Sequence, residues 1–247
     1  MTKTLRFAIA APLALALAAC GNGAGTPEEL KGEAIAAIPA PEGTQWIEQA
    51  VETPEGGTLV GNPDAPLKLV EYGSLTCPTC ARFSTEGSEK LLNEYVNKGT
   101  VSFELRQFAI HGPIDLLLGR LTKCGPATAV IPLADQVWAN MNTLTGAMQA
   151  NAGAFEAAMN LPLEQRFVRA AEVIGALDFF AARGISEDQA RQCLADGAAI
   201  EAAANFRQRY SQEFNVSGTP TFELNGTRVD ANSWGALEPI LQRAGAR

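Results

Sequence analysis

Apolar and polar positions alternate in several short stretches of this chain, and a period of two predicts half-buried β-strands. Three of these stretches lie in the first half of the chain. Two more lie near the end and are joined by Asn225-Gly226, a pair typical of a hairpin turn. The pattern therefore predicts strands at residues 57–60, 67–72, 101–108, 221–224 and 227–229.

Between these strands, the apolar residues follow the three-and-four spacing of amphipathic helices. The spacing predicts one helix from Cys80 to about Asn97, interrupted near Gly87, and a closing helix from Ser233 to Gln242. Residues 113–213 lack any alternation and are rich in Ala, Leu, Gln and Glu, which predicts a block of four to six helices. The predicted fold class is α/β, with one sheet interrupted by a helical insertion.

The composition and net charge of the chain exclude several classes of protein function. Hydrophobic residues make up 47% of the 247 residues, enough to form a core, which excludes a disordered chain. The 19 Lys and Arg against 27 Asp and Glu give a net charge of −8, so no nucleic acid is expected as a partner. A single His and five Cys argue against a His-rich metal site or a Ser-His-Asp hydrolase.

The start of the chain has the pattern of a secretory signal. Two basic residues precede a 12-residue apolar stretch, which is too short for a membrane-spanning helix. It ends in Leu17-Ala18-Ala19-Cys20, which resembles the lipobox of bacterial lipoproteins and implies an acylated Cys20 at the mature N-terminus. The alternative is an ordinary cleavage site after small residues. We interpret residues 1–19 as a lipoprotein signal peptide and 20–45, rich in Gly, Pro, Ala and Glu, as a flexible tether.

Export would place the other cysteines in an oxidising compartment, which affects how they are interpreted. Outside the cytosol, thiols are expected to be paired or to work in redox chemistry. Apart from Cys20, the chain has four cysteines, and four allow three pairings that sequence alone cannot distinguish. They are Cys77, Cys80, Cys124 and Cys193.

Two of these cysteines form the motif Cys77-Pro78-Thr79-Cys80, directly after a predicted strand and at the start of a helix. Proline is tolerated at the first helical position. A thiolate at Cys77 would be stabilised by the free N–H groups of the helix N-terminus. Cys80, one turn later, is placed to attack a mixed disulfide at Cys77. The alternatives are a structural disulfide and half of a zinc site, for which no second ligand pair exists.

Residues 69–80, together with Ser217-Gly218-Thr219-Pro220-Thr221, resemble the DsbA-like branch of thioredoxin-fold thiol:disulfide oxidoreductases. The likeness covers about residues 46–245, helical insertion included, and implies a thioredoxin-like fold. It also implies that Pro220 is a cis proline against the active-site disulfide and that Thr219 offers backbone groups to a substrate strand. Thr219, Pro220, Pro78 and Thr79 are thus the expected substrate-binding residues.

The same resemblance gives expectations for four further residues. Glu71 occupies the position of a buried acid that could exchange a proton with Cys80; the alternative is a solvent-facing side chain. Thr79 stands where many DsbA-like motifs have His, which leaves the direction of electron flow open. Some relatives carry a second bridge, so we expect a structural disulfide between Cys124 and Cys193, the alternative being two buried thiols.

The sequence therefore predicts a lipid-anchored periplasmic thiol:disulfide oxidoreductase without metal or other cofactor, in which dithiol oxidation is favoured. Its expected partners are cysteine-containing envelope proteins, a membrane or soluble redox partner, and the membrane through the lipid. Disulfide reduction or isomerisation is the first alternative. A copper(I)-handling module is the second, disfavoured because no Met or His stands near the motif. The lone His111 is interpreted as structural or solvated.

Overall fold

The computed structural model describes residues 30–247, and a six-stranded mixed sheet forms its centre. In chain order, the strands are β1 (Ala50–Glu52), β2 (Thr58–Val60), β3 (Leu67–Gly73), β4 (Val101–Gln107), β5 (Thr221–Leu224) and β6 (Thr227–Val229). Across the sheet, the order is β1-β2-β4-β3-β5-β6. The central pair, β3 and β4, is parallel, and all other neighbours are antiparallel. The two strands that are longest and most buried thus lie at the centre.

A short helix, α1 (Pro78–Phe83), follows β3 and continues in two π-helical stretches, Ser84–Ser88 and Leu91–Val96. The chain closes with α10 (Trp234–Arg243). Between β4 and β5 lies the helical insertion, whose members are α2 (Pro113–Thr122), α3 (Val130–Ala139), α4 (Met141–Ala150), α5 (Ala152–Met159), α6 (Leu163–Val173), α7 (Ala176–Ala181), α8 (Glu187–Leu194) and α9 (Gly197–Glu213).

Both faces of the sheet are covered, as expected for strands with few exposed positions. On one face, Phe83 of α1 packs on Phe222 of β5 with ring centroids 4.7 Å apart, and Trp234 of α10 lies beside them. On the other face, Tyr72 of β3 meets Tyr210 of α9 at 5.2 Å. The insertion therefore returns over the sheet through its last helix.

The five predicted strands are all present, and the thioredoxin-like fold with a helical insertion is confirmed. Strand β1 was not predicted, because three residues at a sheet edge show too little alternation. The described insertion contains eight helices, so the expected four to six is wrong. Asn140 and Asn151 each end one helix and begin the next, and Gly175, in the left-handed conformation, separates α6 from α7.

Residues 30–45 follow the surface of the domain. The backbone N–H groups of Gly32 and Ile35 donate to the carbonyls of Arg243 and Gly245, beyond the end of α10. Carbonyls at a helix end lack partners within the helix, so they are available to a passing segment. The Trp46 indole also donates to the carbonyl of Ile38 at 2.7 Å. From Leu30 onward, the predicted tether is thus a bound segment in this structure.

Candidate active site

The predicted redox motif lies where β3 ends at the centre of the sheet. Cys77 is the N-cap of α1 with extended backbone, and Pro78 occupies the first helical position, where a missing N–H costs no hydrogen bond. The side chain of Cys77 is 6% exposed and that of Cys80 is fully buried. Both thiols are free. A substrate can therefore reach the first cysteine but not the second.

Hydrogen bonds to the Cys77 sulfur stabilise its thiolate. The thiol of Cys80 donates to it, and the backbone N–H groups of Cys80 and Thr79 add further bonds. Together these bonds outweigh the opposing effect of burial and lower the pKa of Cys77 to about 5. Cys77 is therefore the nucleophilic thiolate at neutral pH.

Cys80 has the opposite character. Its burial, its hydrogen bond to Cys77 and the charge of Glu71 raise the pKa of this thiol well above the ordinary value. It therefore stays protonated until a base removes its proton. The site thus contains one ionised and one protonated sulfur, the arrangement that thiol–disulfide exchange through a mixed disulfide requires.

The predicted substrate-binding residues surround Cys77. Its sulfur lies 3.3 Å from the carbonyl oxygen of Thr219, to which the thiol form donates. The Thr219–Pro220 peptide bond is cis and Pro220 is buried. Strand β5 begins at the next residue and pairs with β3, which brings this loop to the motif. Pro78 is exposed and Thr79 is half-buried, so both remain accessible beside the buried Cys77.

Glu71 points into the core, so the solvent-facing alternative is wrong. Its side chain is fully buried, and it pairs in register with Leu105 and Phe222. Neither carboxyl oxygen has a hydrogen-bond partner among the described residues. Desolvation, together with the nearby charges of Asp135 and Cys77, raises the pKa of Glu71 well above its ordinary value. A carboxyl group in this environment keeps its proton to a higher pH than a solvated Glu does.

Sequence analysis missed a polar network beside the nucleophile. Buried Asp115, in the first turn of α2, accepts hydrogen bonds from the hydroxyls of Ser74 and Thr76 and from the backbone N–H groups of Thr76 and His111. Trp138 donates to the Ser74 carbonyl at 2.8 Å. These bonds fix the loop that leads from β3 to Cys77. The hydroxyl residues before the motif were the available signal, but nothing in the sequence linked them to Asp115.

A second missed carboxylate is Asp135 of α3. It accepts hydrogen bonds of 2.6 and 2.7 Å from Ser84 and Ser88 on the π-helical continuation of α1. Desolvation raises the pKa of Asp135 despite these bonds. Its negative charge makes ionisation of Glu71 harder, so the insertion contributes to the electrostatics of the site. No local sequence pattern indicated this long-range contact.

The other two described cysteines are joined to each other. A disulfide connects Cys124, just after α2, to Cys193 in α8, with Cα atoms 5.8 Å apart and a sequence separation of 69. The bridge lies within the insertion. Cys20 and the predicted signal peptide fall in residues 1–29, outside the described part of the chain.

Residues 30–247 contain neither a clustered metal-ligand set nor a membrane-spanning helix. In these residues, no group of three or more His, Cys, Asp or Glu side chains is arranged to hold a metal ion. Every helix there is too short or too polar to span a bilayer. In space, however, Met141, Met148 and His111 line a groove beside Pro78, so their distance from the motif in sequence is misleading.

A thiolate and a protonated cysteine at a strand-to-helix junction, facing a cis proline, define a thioredoxin-fold protein with a dithiol–disulfide centre. Comparison with known proteins agrees. The family model described as thioredoxin matches residues 53–243. The chain therefore belongs to the thioredoxin family, and the resemblance to its DsbA-like branch is confirmed.

Three similar proteins illustrate this membership. The crystal structure of the protein-disulfide isomerase of Novosphingobium aromaticivorans is 31% identical and has a TM-score of 0.70, covering 76% of this chain and 97% of that protein. Wolbachia pipientis alpha-DsbA1 has a TM-score of 0.59 over 76% of this chain and 90% of its own, and at 18% identity it shows the shared fold. Disulfide bond formation protein D of Bacillus subtilis (strain 168) is 33% identical over 58 residues. That alignment spans 24% of this chain and only 26% of the relative.

Proposed function

We propose that this protein is a thiol:disulfide oxidoreductase of the cell envelope that oxidises cysteine pairs in other proteins. The observation that carries the proposal is the unequal acidity of Cys77 and Cys80. A strongly stabilised thiolate in the reduced form favours reduction of the active-site disulfide, and hence oxidation of the substrate. The curated relative's name, a disulfide bond formation protein, supports the same direction.

The reaction starts from a Cys77–Cys80 disulfide. A substrate thiolate attacks the Cys77 sulfur, and the electron pair of the broken S–S bond passes to Cys80. The second substrate thiolate then attacks the substrate sulfur of the mixed disulfide and expels Cys77 as a thiolate. The substrate loses two electrons and two protons. The protein gains both electrons and one proton, at Cys80, and the other proton is released to solvent. Glu71 is our candidate for the donor of that proton, because it is buried with a raised pKa and interacts electrostatically with Cys80.

Substrate backbone is proposed to bind at the loop containing Thr219 and Pro220, with Pro78 and Thr79 on the opposite rim. The Thr219 carbonyl lies within 3.3 Å of the Cys77 sulfur, so an extended strand bound there would pass directly over the nucleophile. Extended peptides that bind beside a sheet edge or loop use main-chain hydrogen bonds, which tolerate many sequences. The substrate class is therefore broad: unfolded or flexible segments that contain cysteine.

The test is the equilibrium reduction potential of the Cys77–Cys80 pair against glutathione, combined with oxidation of a reduced two-cysteine peptide. A potential well above the −270 mV of thioredoxin, with stoichiometric peptide oxidation, is expected. Cys77→Ser provides the inactive control. A potential at or below that of thioredoxin, with no peptide oxidation, would contradict the oxidase direction.

Isomerisation is the second candidate, because the relative with 31% identity is described as a protein-disulfide isomerase. Recovery of activity from a scrambled disulfide protein distinguishes the two functions. An isomerase restores the native pairing in a redox buffer, whereas a pure oxidase only forms disulfides. The reduced Cys77 thiolate is the species that would attack a wrong disulfide, so both functions use the same nucleophile.

We further propose that Cys20 carries the lipid anchor and that the protein acts at the periplasmic side of an envelope membrane, where a redox partner reoxidises it. The support is the Leu17-Ala18-Ala19-Cys20 motif. Labelled fatty acid should be incorporated into the wild type and not into Cys20→Ser, and the wild type should fractionate with membranes. Because one acyl chain binds only marginally, stable anchoring requires more than one. Equal membrane retention of both forms would contradict the anchor.

A further inference from the structure

His111 lies beside the nucleophile, although 34 residues separate them in sequence. It precedes Gly112, the N-cap of α2, and its side chain is 50% exposed. Together with Thr76 and Pro78, the residues on either side of Cys77, it lines a groove of about 430 Å³. Among the described lining residues of this groove, His111 is the one with a titratable side chain. The imidazole therefore lies in a groove whose lining includes both sequence neighbours of Cys77.

The hydrogen-bond network determines which imidazole nitrogen carries the proton. His111 Nδ1 lies 2.7 Å from Thr76 Oγ1, and the same hydroxyl lies 2.8 Å from Asp115 Oδ1. A carboxylate only accepts, so the hydroxyl proton is donated to Asp115. Thr76 Oγ1 must then accept from Nδ1–H. In the neutral ring, Nε2 is consequently the unprotonated nitrogen, on the edge opposite Thr76.

In the part of the chain that the structure describes, one charged side chain faces the ring. Asp115 Oδ2 lies 3.8 Å from His111 Nδ1, and the same carboxylate accepts a hydrogen bond from the His111 backbone N–H. The carboxylate therefore lies on the Nδ1 side of the ring and leaves Nε2 free of this contact. The groove side contributes thioether, amide and apolar groups, among them Met141 and Met148, which bring no competing charge.

Oxidation of a substrate requires a base that the motif itself lacks. A free cysteine with a pKa of ~8.5 is only about 3% ionised at pH 7, yet only the thiolate attacks a disulfide. The motif has Thr79 between its cysteines, and Thr cannot take a proton. Glu71 is fully buried beneath the cysteines and cannot meet an incoming substrate. Among the described residues that line the groove, His111 is the one whose side chain can take this proton.

We propose that His111 is a catalytic residue of this site and that its Nε2 takes the proton of the substrate cysteine as that sulfur approaches Cys77. The proposal rests on the proposed oxidoreductase function. The substrate S–H bond breaks, the proton forms an N–H bond at Nε2, and the electron pair stays on sulfur. The thiolate sulfur then bonds to Cys77, the Cys77–Cys80 bond breaks, and its electron pair passes to Cys80. The imidazolium afterwards releases its proton to water.

The test uses wild type and two variants, His111→Asn and His111→Gln, in their oxidised form. Asn places an amide N–H near the position of Nδ1 and can keep the bond to Thr76, but it contains no base. The measured quantity is the rate of mixed-disulfide formation with a reduced cysteine peptide between pH 5 and 9. Thr85→Val is a matched control, because its exposed hydroxyl bonds only the Ala81 carbonyl. The pKa of Cys77 is measured in each reduced variant from thiolate absorbance.

We expect both His111 variants to react several-fold more slowly than wild type at pH 7, with a ceiling of about 30-fold set by the ionised fraction of a free thiol. The ratio of wild-type to variant rates should fall toward one above ~8.5, the ordinary pKa of a free thiol, because the substrate thiol is then already ionised. Thr85→Val should match wild type throughout.

Three results would overturn the inference. A rate ratio independent of pH would indicate a structural role, and an Asn variant as fast as wild type would indicate that only the hydrogen bond to Thr76 matters. A change in the pKa of Cys77 that accounts for the whole rate loss would assign the effect to the nucleophile. If the wild type itself failed to oxidise the peptide at any pH, the proposed function would fail, and the inference with it. That outcome is distinguishable, because in the other three the wild type remains active.

Discussion

Cys77 and Cys80 are three residues apart and differ in acidity because their sulfur atoms meet different donors. The Cys77 sulfur is reached by the Cys80 thiol and by N–H groups of the first helical turn, whereas Cys80 is buried near Glu71. Two local features produce this difference: the N-cap position of Cys77 and the inward turn of Cys80. The chemistry of the site therefore depends on individual hydrogen bonds, which can be removed one at a time.

Replacing Cys80 tests the first of these bonds. Cys80→Ser keeps a hydroxyl donor to the Cys77 sulfur and should leave the pKa of Cys77 near the wild-type value of about 5. Cys80→Ala removes the donor, so the pKa should move toward the ordinary ~8.5. Alkylation rate against pH measures both. Identical midpoints for the Ser and Ala variants would show that the Cys80 donor has no such role.

Because Glu71 is buried with a raised pKa, we expect an unusual dependence of protein stability on pH. Its pKa is higher in the folded than in the unfolded protein, so between the two values the folded state binds more protons. Stability must then fall as the pH rises above the unfolded value of ~4.3. Glu71→Gln carries no charge, so its stability should not fall in this way as the pH rises. Each pKa unit by which folding raises the pKa of Glu71 corresponds to about 1.4 kcal/mol of stability that the wild type loses and the variant keeps. Urea unfolding between pH 4 and 8 checks this; parallel stability curves would refute it.

Substitution of Thr79 should change the reduction potential of the Cys77–Cys80 pair. Its backbone N–H already bonds the Cys77 sulfur, but its side chain provides no charge. In Thr79→His, the imidazole can add a charge-assisted hydrogen bond to the thiolate, worth roughly 1.5–3 kcal/mol. About 1.4 kcal/mol corresponds to 30 mV, so the potential should rise by some tens of millivolts. Glutathione equilibration of both proteins measures it, and an unchanged or lower potential would show that residue 79 does not control the oxidising strength.

At the scale of elements, the π-helical stretch after α1 depends on close packing against α10. A Cβ at Gly87 would lie 2.5 Å from the Trp234 indole, well inside contact distance. Trp234 is itself held against Phe83 and Tyr95. Glycine is thus required at position 87 by the approach of another helix. The interruption of the helix predicted from sequence near Gly87 corresponds to this π-helical stretch.

Gly87→Ala should therefore destabilise the protein by about 1–3 kcal/mol, the usual cost of overpacking a core. Gly146 in α4 is the matched control, because a Cβ there meets nothing within 4 Å. In Gly146→Ala, the higher helix propensity of Ala should stabilise by up to about 1 kcal/mol. Chemical unfolding measures both. A neutral Gly87→Ala would mean that Trp234 can move aside at no cost.

Elements with a local signal could be predicted, and contacts between distant elements could not. The strands around Leu69, Phe103 and Phe222 alternate, and the Cys77–Cys80 motif with its downstream Pro220 is recognisable by family resemblance. The position of His111 could not be predicted, because it depends on how α2 starts beside the loop containing Thr76. The same holds for Asp135, which approaches Glu71 only because α3 packs on the active-site helix.

At the scale of the whole molecule, the insertion is attached to the sheet by a buried charged cluster. Arg106 of β4 bonds Glu104 through two nitrogens, at 2.8 and 3.0 Å, and the Tyr72 hydroxyl at 3.0 Å. Its guanidinium also lies over the rings of Tyr72 and Phe214, the latter just beyond α9. Removing one member of such a buried pair leaves an uncompensated charge, which is strongly destabilising. Within this cluster, the contact between Arg106 and Phe214 joins the sheet to the end of α9.

A second link holds the insertion together internally: the Cys124–Cys193 disulfide joins α8 to the segment just after α2. It closes a loop of 69 residues, and such a closure stabilises by about 4 kcal/mol in the chain-entropy model. Replacing both cysteines by Ala should therefore lower the free energy of unfolding by up to that amount. Asp115 lies in the first turn of α2, whereas Cys124 follows its C-terminal end, so the bridge is at the far end of this helix from the active site and the Cys77 alkylation midpoint should not change.

The measurement is urea unfolding of the Cys124→Ala/Cys193→Ala protein, compared with its parent, in a Cys77→Ser/Cys80→Ser background. In this background, reducing agent acts on the remaining bridge alone, so the parent with added reductant serves as a second route to the same state. Both routes should give the same loss of stability. Free thiols at both positions in protein isolated from the envelope, or equal stability of all three forms, would refute the role of the bridge. The Cys77 alkylation midpoint is measured separately, in Cys124→Ala/Cys193→Ala protein that keeps Cys77 and Cys80. A shifted midpoint there would contradict the expectation that the bridge acts on stability alone.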